Sequence, residues 1–123
     1  MEHAITELAY IGDAVFELLV REMLLSEGIS FRNMNPRAQE YVSAVAQSQM
    51  YHKIFTLVTE EEQYILKRGR NYYCSSSRAK NAKASEYRHA TGLEALFGYL
   101  HQQGNHTRIR EIFALCTGDI KNE

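Results

Sequence analysis

Residues 8–25 read Leu-Ala-Tyr-Ile-Gly-Asp-Ala-Val-Phe-Glu-Leu-Leu-Val-Arg-Glu-Met-Leu-Leu. Wound at 3.6 residues per turn, this segment is apolar on almost every side. Leu8, Ile11, Val15, Leu18 and Leu19 fill one face, with Tyr10, Ala14 and Phe16 around from it. Only Asp13, Glu17 and Arg21, spaced i, i+4, i+8, form a polar stripe. A helix apolar nearly all round is buried on more than one side. In a chain of 123 residues the second side is either a monomeric bundle or another copy of the chain, and the surplus favours a homodimer. The segment also excludes two alternatives. Met1–Val20 carries Glu2, Glu7, Asp13 and Glu17 and no Lys or Arg, so it is neither a signal peptide nor a membrane helix. The expectation is a soluble, cytoplasmic chain with no membrane contact.

The rest of the sequence agrees with one all-α domain spanning residues 1–123. No stretch alternates with period two and no hairpin turn is present. Thr59 followed by Glu60, Glu61 and Glu62 is a capping box, Asn35-Pro36 reads as a helix start, and Asn105 as a third. Gly28, Gly69 and Gly104 sit where helices would stop. Helices are expected over 4–27, 36–57, 60–73, 84–103 and 106–116. In 84–103, Leu93, Leu96, Phe97 and Leu100 make the core face, and Gly92 and Gly98 imply close approach of a neighbouring backbone, as does Gly12. Cys74 and Cys116 fit no zinc or disulfide pattern and read as free thiols, and the five histidines have no ligand spacing.

The net charge of −1 conceals an asymmetry. Residues 67–90 hold Lys67, Arg68, Arg70, Arg78, Lys80, Lys83 and Arg88 against one acid, Glu86. Ser75–Ser77, Asn71, Asn81 and three tyrosines lie among them. A basic loop rich in hydrogen-bond donors suits a phosphate backbone. Arg70, Arg78, Lys80, Lys83 and Arg88 are therefore the candidate nucleic-acid-binding residues.

Asp13 and Glu94 are acids in strongly apolar helical sequence, Gly12-Asp13-Ala14-Val15 and Leu93-Glu94-Ala95-Leu96. Carboxylates are seldom buried without partners. If the two helices pack, the pair could bind a hard divalent cation such as Mg²⁺. Read separately, Asp13 could belong to the exposed stripe, and Glu94 could pair with Arg88 or His101.

These two segments resemble a known family. Leu8–Leu18, with Asp13 after Gly12, resembles the signature helix of ribonuclease III domains, and Leu93-Glu94-Ala95-Leu96-Phe97-Gly98 resembles that family's second acidic motif. Val42–Gln47 and Tyr87–Thr91 are similar to the short Mini-III branch. The resemblance implies an all-α endonuclease domain forming a homodimer, with Tyr10 reaching across the interface. It implies Mg²⁺ held by Asp13 and Glu94 as catalytic metal ligands and double-stranded RNA as substrate, cut to leave 5′-phosphate ends. It further implies maturation of the large-subunit (23S) ribosomal RNA precursor, assisted by a large-subunit ribosomal protein. The sequence departs from the full-length enzymes at Ala9 and Thr6, four and seven residues before Asp13, and at Thr91, three before Glu94; each stands where the family has an acid. The alternative that follows is a catalytically silent domain that only binds structured RNA.

Overall fold

The computed structural model describes residues 3–72 and 82–121. Among these, all regular structure is helical: α1 Ile5–Ser26, α2 Phe31–Val42, α3 Ala44–Phe55, α4 Glu60–Asn71, α5 Ala82–Gln102 and α6 His106–Lys121. Each start has a local cause. The Ala4 amide donates to the Glu7 carboxylate at 3.1 Å, supporting the first turn of α1. The Glu62 amide donates to Thr59 Oγ1 (3.1 Å) while the Thr59 amide donates to Glu62 Oε1 (2.9 Å), the reciprocal pair the sequence announced. The Arg108 amide donates to Asn105 Oδ1 at 3.2 Å, so Asn105 caps α6. Gly28 and Gly104 end α1 and α5 at φ 77° and 71°, the left-handed region where glycine carries no Cβ penalty.

Three expectations need correction. The helix expected over 36–57 is two helices. Ser43 is extended (φ −63°, ψ 156°), closing α2 and capping α3, where its Oγ accepts from the Ala46 amide at 3.2 Å. Asn35-Pro36 is not a helix start either. α2 begins five residues earlier, behind Ser30, and Pro36 lies inside it. The proline is tolerated because residues 31–33 and 35–36 are exposed, so water can take the carbonyl it leaves free. Gly69 does not stop a helix but lies within α4.

α5 is the central helix, packed against α1, α3 and α4. All four of its expected core residues, Leu93, Leu96, Phe97 and Leu100, are buried. Phe16 of α1 meets Phe97 edge-on with ring centroids 5.4 Å apart, and Phe113 of α6 at 5.7 Å. The α1–α5 crossing is unusually close. A Cβ on Gly12 would stand 1.6 Å from the Glu94 carbonyl oxygen, and one on Gly98 would stand 1.8 Å from that of Leu8. Only glycine at both positions lets the two backbones touch. Gly69 and Gly92 do the same for α4 and α5, with a Cβ on Gly69 2.6 Å from Gly92 Cα.

The buried face of α1 is Ile5, Leu8, Ala9, Gly12, Phe16, Val20, Met23 and Leu24. Leu18, placed by the periodicity on one apolar face with Leu8, Ile11, Val15 and Leu19, is exposed with Tyr10, Ala14 and Leu25 on the outer side. The helix thus keeps an apolar outer stripe beside its core face.

Candidate active site

The glycine crossing brings two acids together. Asp13 follows Gly12 on α1, and the backbone that Gly12 touches is that of Glu94 on α5. The Asp13 carboxyl is exposed and the Glu94 carboxyl partly buried, and the two share a hydrogen bond. Two carboxylates can do so only if one carries a proton. Burial, then the Asp13 charge and that hydrogen bond, raise Glu94 to about 8. Glu17, one turn beyond Asp13, adds a smaller push in the same direction. Gln47 of α3 is the counterweight: its side chain, 2% exposed, hydrogen-bonds Glu94 and favours the ionised form. The partners suggested by spacing alone, Arg88 and His101, are not the groups that set this residue's titration.

A carboxylate pair that must hold a proton in order to coexist is a natural seat for a divalent cation, which would replace the proton and satisfy both charges. Magnesium in particular takes one or two protein carboxylates and keeps several waters. Among the described residues no group of three or more acids, histidines or cysteines is arranged to hold a metal. Asp13 and Glu94 would offer such a cation two carboxylates per chain, with the Gln47 side chain beside Glu94. Glu17 pairs with Arg21 (3.6 Å), as its spacing suggests.

The remaining candidates are more dispersed. Tyr10 is 80% exposed on the outer stripe of α1, one turn before Asp13. Lys83 is exposed at the start of α5, whereas Arg70 and Arg88 are half-buried. Arg78 and Lys80 lie outside the described residues, as does Cys74. Cys116 is a buried free thiol, raised to about 12 by its burial.

Three residues the sequence did not single out belong to this description. Gln47 is a buried amide in the small-residue run Ala46-Gln47-Ser48, and an amide in such a setting was the available signal. His52 and His89, far apart in the chain, meet with ring centroids 4.4 Å apart, and His89 also contacts the Tyr51 ring at 4.7 Å. Nothing in their spacing indicated this.

Comparison with known proteins agrees with the geometry. Residues 6–105 match the family model described as the ribonuclease III domain. The chain is 43% identical over 117 residues to the mini-ribonuclease 3 of Brevibacillus brevis, covering 91% of this chain and 87% of that protein. It is 43% identical over 112 residues to that of Enterococcus faecalis (89% and 84% covered) and 41% over 115 residues to that of Symbiobacterium thermophilum (93% and 88%). A crystal structure of a Fusobacterium nucleatum protein superimposes with a TM-score of 0.82 at 30% identity, covering 96% of this chain and 94% of that one. With Asp13 and Glu94 joined inside the matched region, the chain belongs to the ribonuclease III family, in its mini-ribonuclease 3 branch.

Proposed function

We propose that the chain is a metal-dependent endoribonuclease that cuts double-stranded RNA as a homodimer, with Asp13 and Glu94 holding Mg²⁺ at the site of cleavage. The observation that carries this reading is the carboxylate pair itself: two acids from different helices, brought into contact by a crossing that only glycine permits. When bound, the cation supplies Lewis-acid stabilisation of charge on the scissile phosphate and a water of lowered pKa. The protein's own groups do the rest. Asp13 and Glu94 present the anionic oxygens, Gln47 holds Glu94 in orientation, and Glu94 gives up its proton as the site becomes charged. Arg70, Arg78, Lys80, Lys83 and Arg88 supply cations to the RNA backbone, a contact that reads duplex shape more than sequence.

The outer stripe of α1 supports the dimer. Tyr10, Leu18 and Leu25 are large apolar groups more than half exposed on one helix. Tyr10 lies close to Asp13 in the chain, so a partner seated there would stand beside the active site. The 23S precursor is proposed as substrate on the resemblance to the Mini-III branch. A large-subunit ribosomal protein already bound to it would present the duplex to a catalytic domain of modest intrinsic affinity, in the cytoplasm. No helix among the described residues is long and apolar enough to cross a membrane.

Cleavage of a duplex RNA with and without Mg²⁺ tests the reading. Asp13→Asn and Glu94→Gln are each expected to lower the rate by at least about a hundredfold while leaving helicity unchanged. Cleavage by either variant near the parent rate would refute the assignment. Absence of cleavage by the parent would favour the silent RNA-binding alternative. Tyr10→Asp is expected to yield monomer in sedimentation and to lose activity with it. A parent protein that is monomeric at micromolar concentration would exclude the dimer.

A further inference from the structure

Away from the carboxylate pair, three helices bring four basic side chains towards one place: His52 from α3, Arg70 from α4, and Arg88 and His89 from α5. The two imidazoles are tilted at 52° with centroids 4.4 Å apart. Beneath them lies the buried Tyr51 ring, stacked in turn on Phe55 at 5.7 Å. Lys67 reaches over the Phe55 ring at 5.9 Å, adding a further cation at the margin. The main influences on His89 are, in order, its own burial, His52, a hydrogen bond to the Ser85 carbonyl, Arg70 and Arg88, with no acid among these five. Burial and those neighbours hold His89 below the usual imidazole range.

Two details show what the cluster lacks. His89 Nδ1 donates to the Ser85 carbonyl at 2.8 Å, because a carbonyl can only accept. The neutral ring therefore presents Nε2 as an acceptor, and a second proton would turn Nε2 into a charged donor. Arg88 Nε is buried with no hydrogen-bond partner among the described residues. Guanidinium donors are rarely left so, and buried ones are normally paired. An incoming anion would satisfy the cations, reverse the repulsion acting on His89 and draw a proton onto its ring. His89 lies five residues before Glu94, about 7.5 Å along the axis of the same helix.

We infer that His52 and His89, flanked by Arg70 and Arg88, form a proton-coupled subsite for a backbone phosphate of the bound RNA, so that RNA binding tightens as pH falls. The inference rests on the double-stranded-RNA reading above. Its sign follows from linkage. His89 is held low in the free protein and rises when the phosphate binds, so the complex takes up a proton. The added affinity is full below the free-state value and is lost as pH rises through the value in the complex.

The test measures duplex RNA binding in Ca²⁺ from about pH 5.5 to about pH 8 for the parent, His52→Gln and His89→Gln. In parallel, the His89 ring resonance is titrated by NMR alone, with duplex RNA, and with inorganic phosphate. Comparison with the histidine variants cancels any contribution of Glu94, which all three proteins share. The parent is expected to gain affinity with falling pH, approaching tenfold per pH unit where one proton is taken up. Both variants should flatten that gain and bind like the parent at the alkaline end. Duplex RNA should move the His89 midpoint upward. An identical pH profile in parent and variants, or an unmoved His89 midpoint in an RNA complex that does form, would overturn the inference. So would a midpoint that responds to inorganic phosphate but not to RNA, which would make this a site for free phosphate. Failure of the parent to bind duplex RNA at any pH would instead refute the double-stranded-RNA reading, and the inference with it. Should His89→Gln fail to fold, His52→Gln, an exposed position, and the parent titration decide the matter.

Discussion

Glu62 and Glu94 are both carboxylates drawn into the helical bundle, and their surroundings are opposite. Glu62 of α4, 6% exposed, meets Arg108 of α6 in a two-pronged ion pair, Nε to Oε2 and Nη2 to Oε1, each at 2.8 Å. It also completes the Thr59 capping box. The guanidinium hydrogen bonds hold Glu62 below the usual carboxylate range, and Glu62 raises Arg108 in return. Glu94 meets another carboxylate and is raised to about 8. One acid has everything it needs within the fold. The other ionises only at a cost that the protein alone does not offset, and this unmet requirement separates a site from a strut.

The comparison can be broken at its stable end first. Glu62→Gln leaves the Arg108 charge half-buried with a weaker partner and removes the best cap of α4. A loss of about 3 kcal/mol in chemical denaturation is expected, with cleavage per folded molecule largely retained. A neutral substitution would mean that the pair contributes only what an exposed ion pair does. The smaller effect has the opposite sign. Glu94→Gln removes a charge that burial disfavours, so without divalent ions it should stabilise the protein by about 1–3 kcal/mol while abolishing cleavage. The gain should also depend on pH. Between the ordinary carboxyl range and about 8 the folded parent holds a proton that the unfolded chain releases, so parent stability falls as pH rises across that window. The variant lacks that slope, so its advantage grows toward pH 8. A variant less stable than the parent throughout would place Glu94 with Glu62, as a structural residue.

Much of this was readable from the chain because it is written locally. The apolar surplus of 8–25, the Thr59–Glu62 box and Asn105 each act within a few residues, and the structure keeps all three. Asp13 and Glu94 stood out because acids amid leucine and alanine are conspicuous, and Gly12 and Gly98 announced the close approach that joins them. What was hidden depends on context. Ser43 breaks 36–57 by serving two helices at once, yet a serine within a helical pattern looks like any surface residue. Pro36 suggested a start because proline favours the first turn, and the exposure that lets it sit deeper is a tertiary property. Leu18 was grouped on one face with the buried Leu8 because hydropathy cannot tell a core face from one left exposed. The meeting of His52 with His89, and of Gln47 with Glu94, follows from how α3 packs on α5, which no spacing records.

The most direct measurement is a pH titration of the Glu94 side-chain carboxyl by carbon-detected NMR, with and without Mg²⁺. Without the ion it should titrate near 8, and Asp13→Asn should lower that midpoint by removing the neighbouring charge. With saturating Mg²⁺ the midpoint in the parent should fall well below 7, since the cation competes with the proton for the same oxygens. A Glu94 that titrates near the ordinary glutamate value and does not respond to Mg²⁺ would contradict the claim that this pair is built to hold a metal ion.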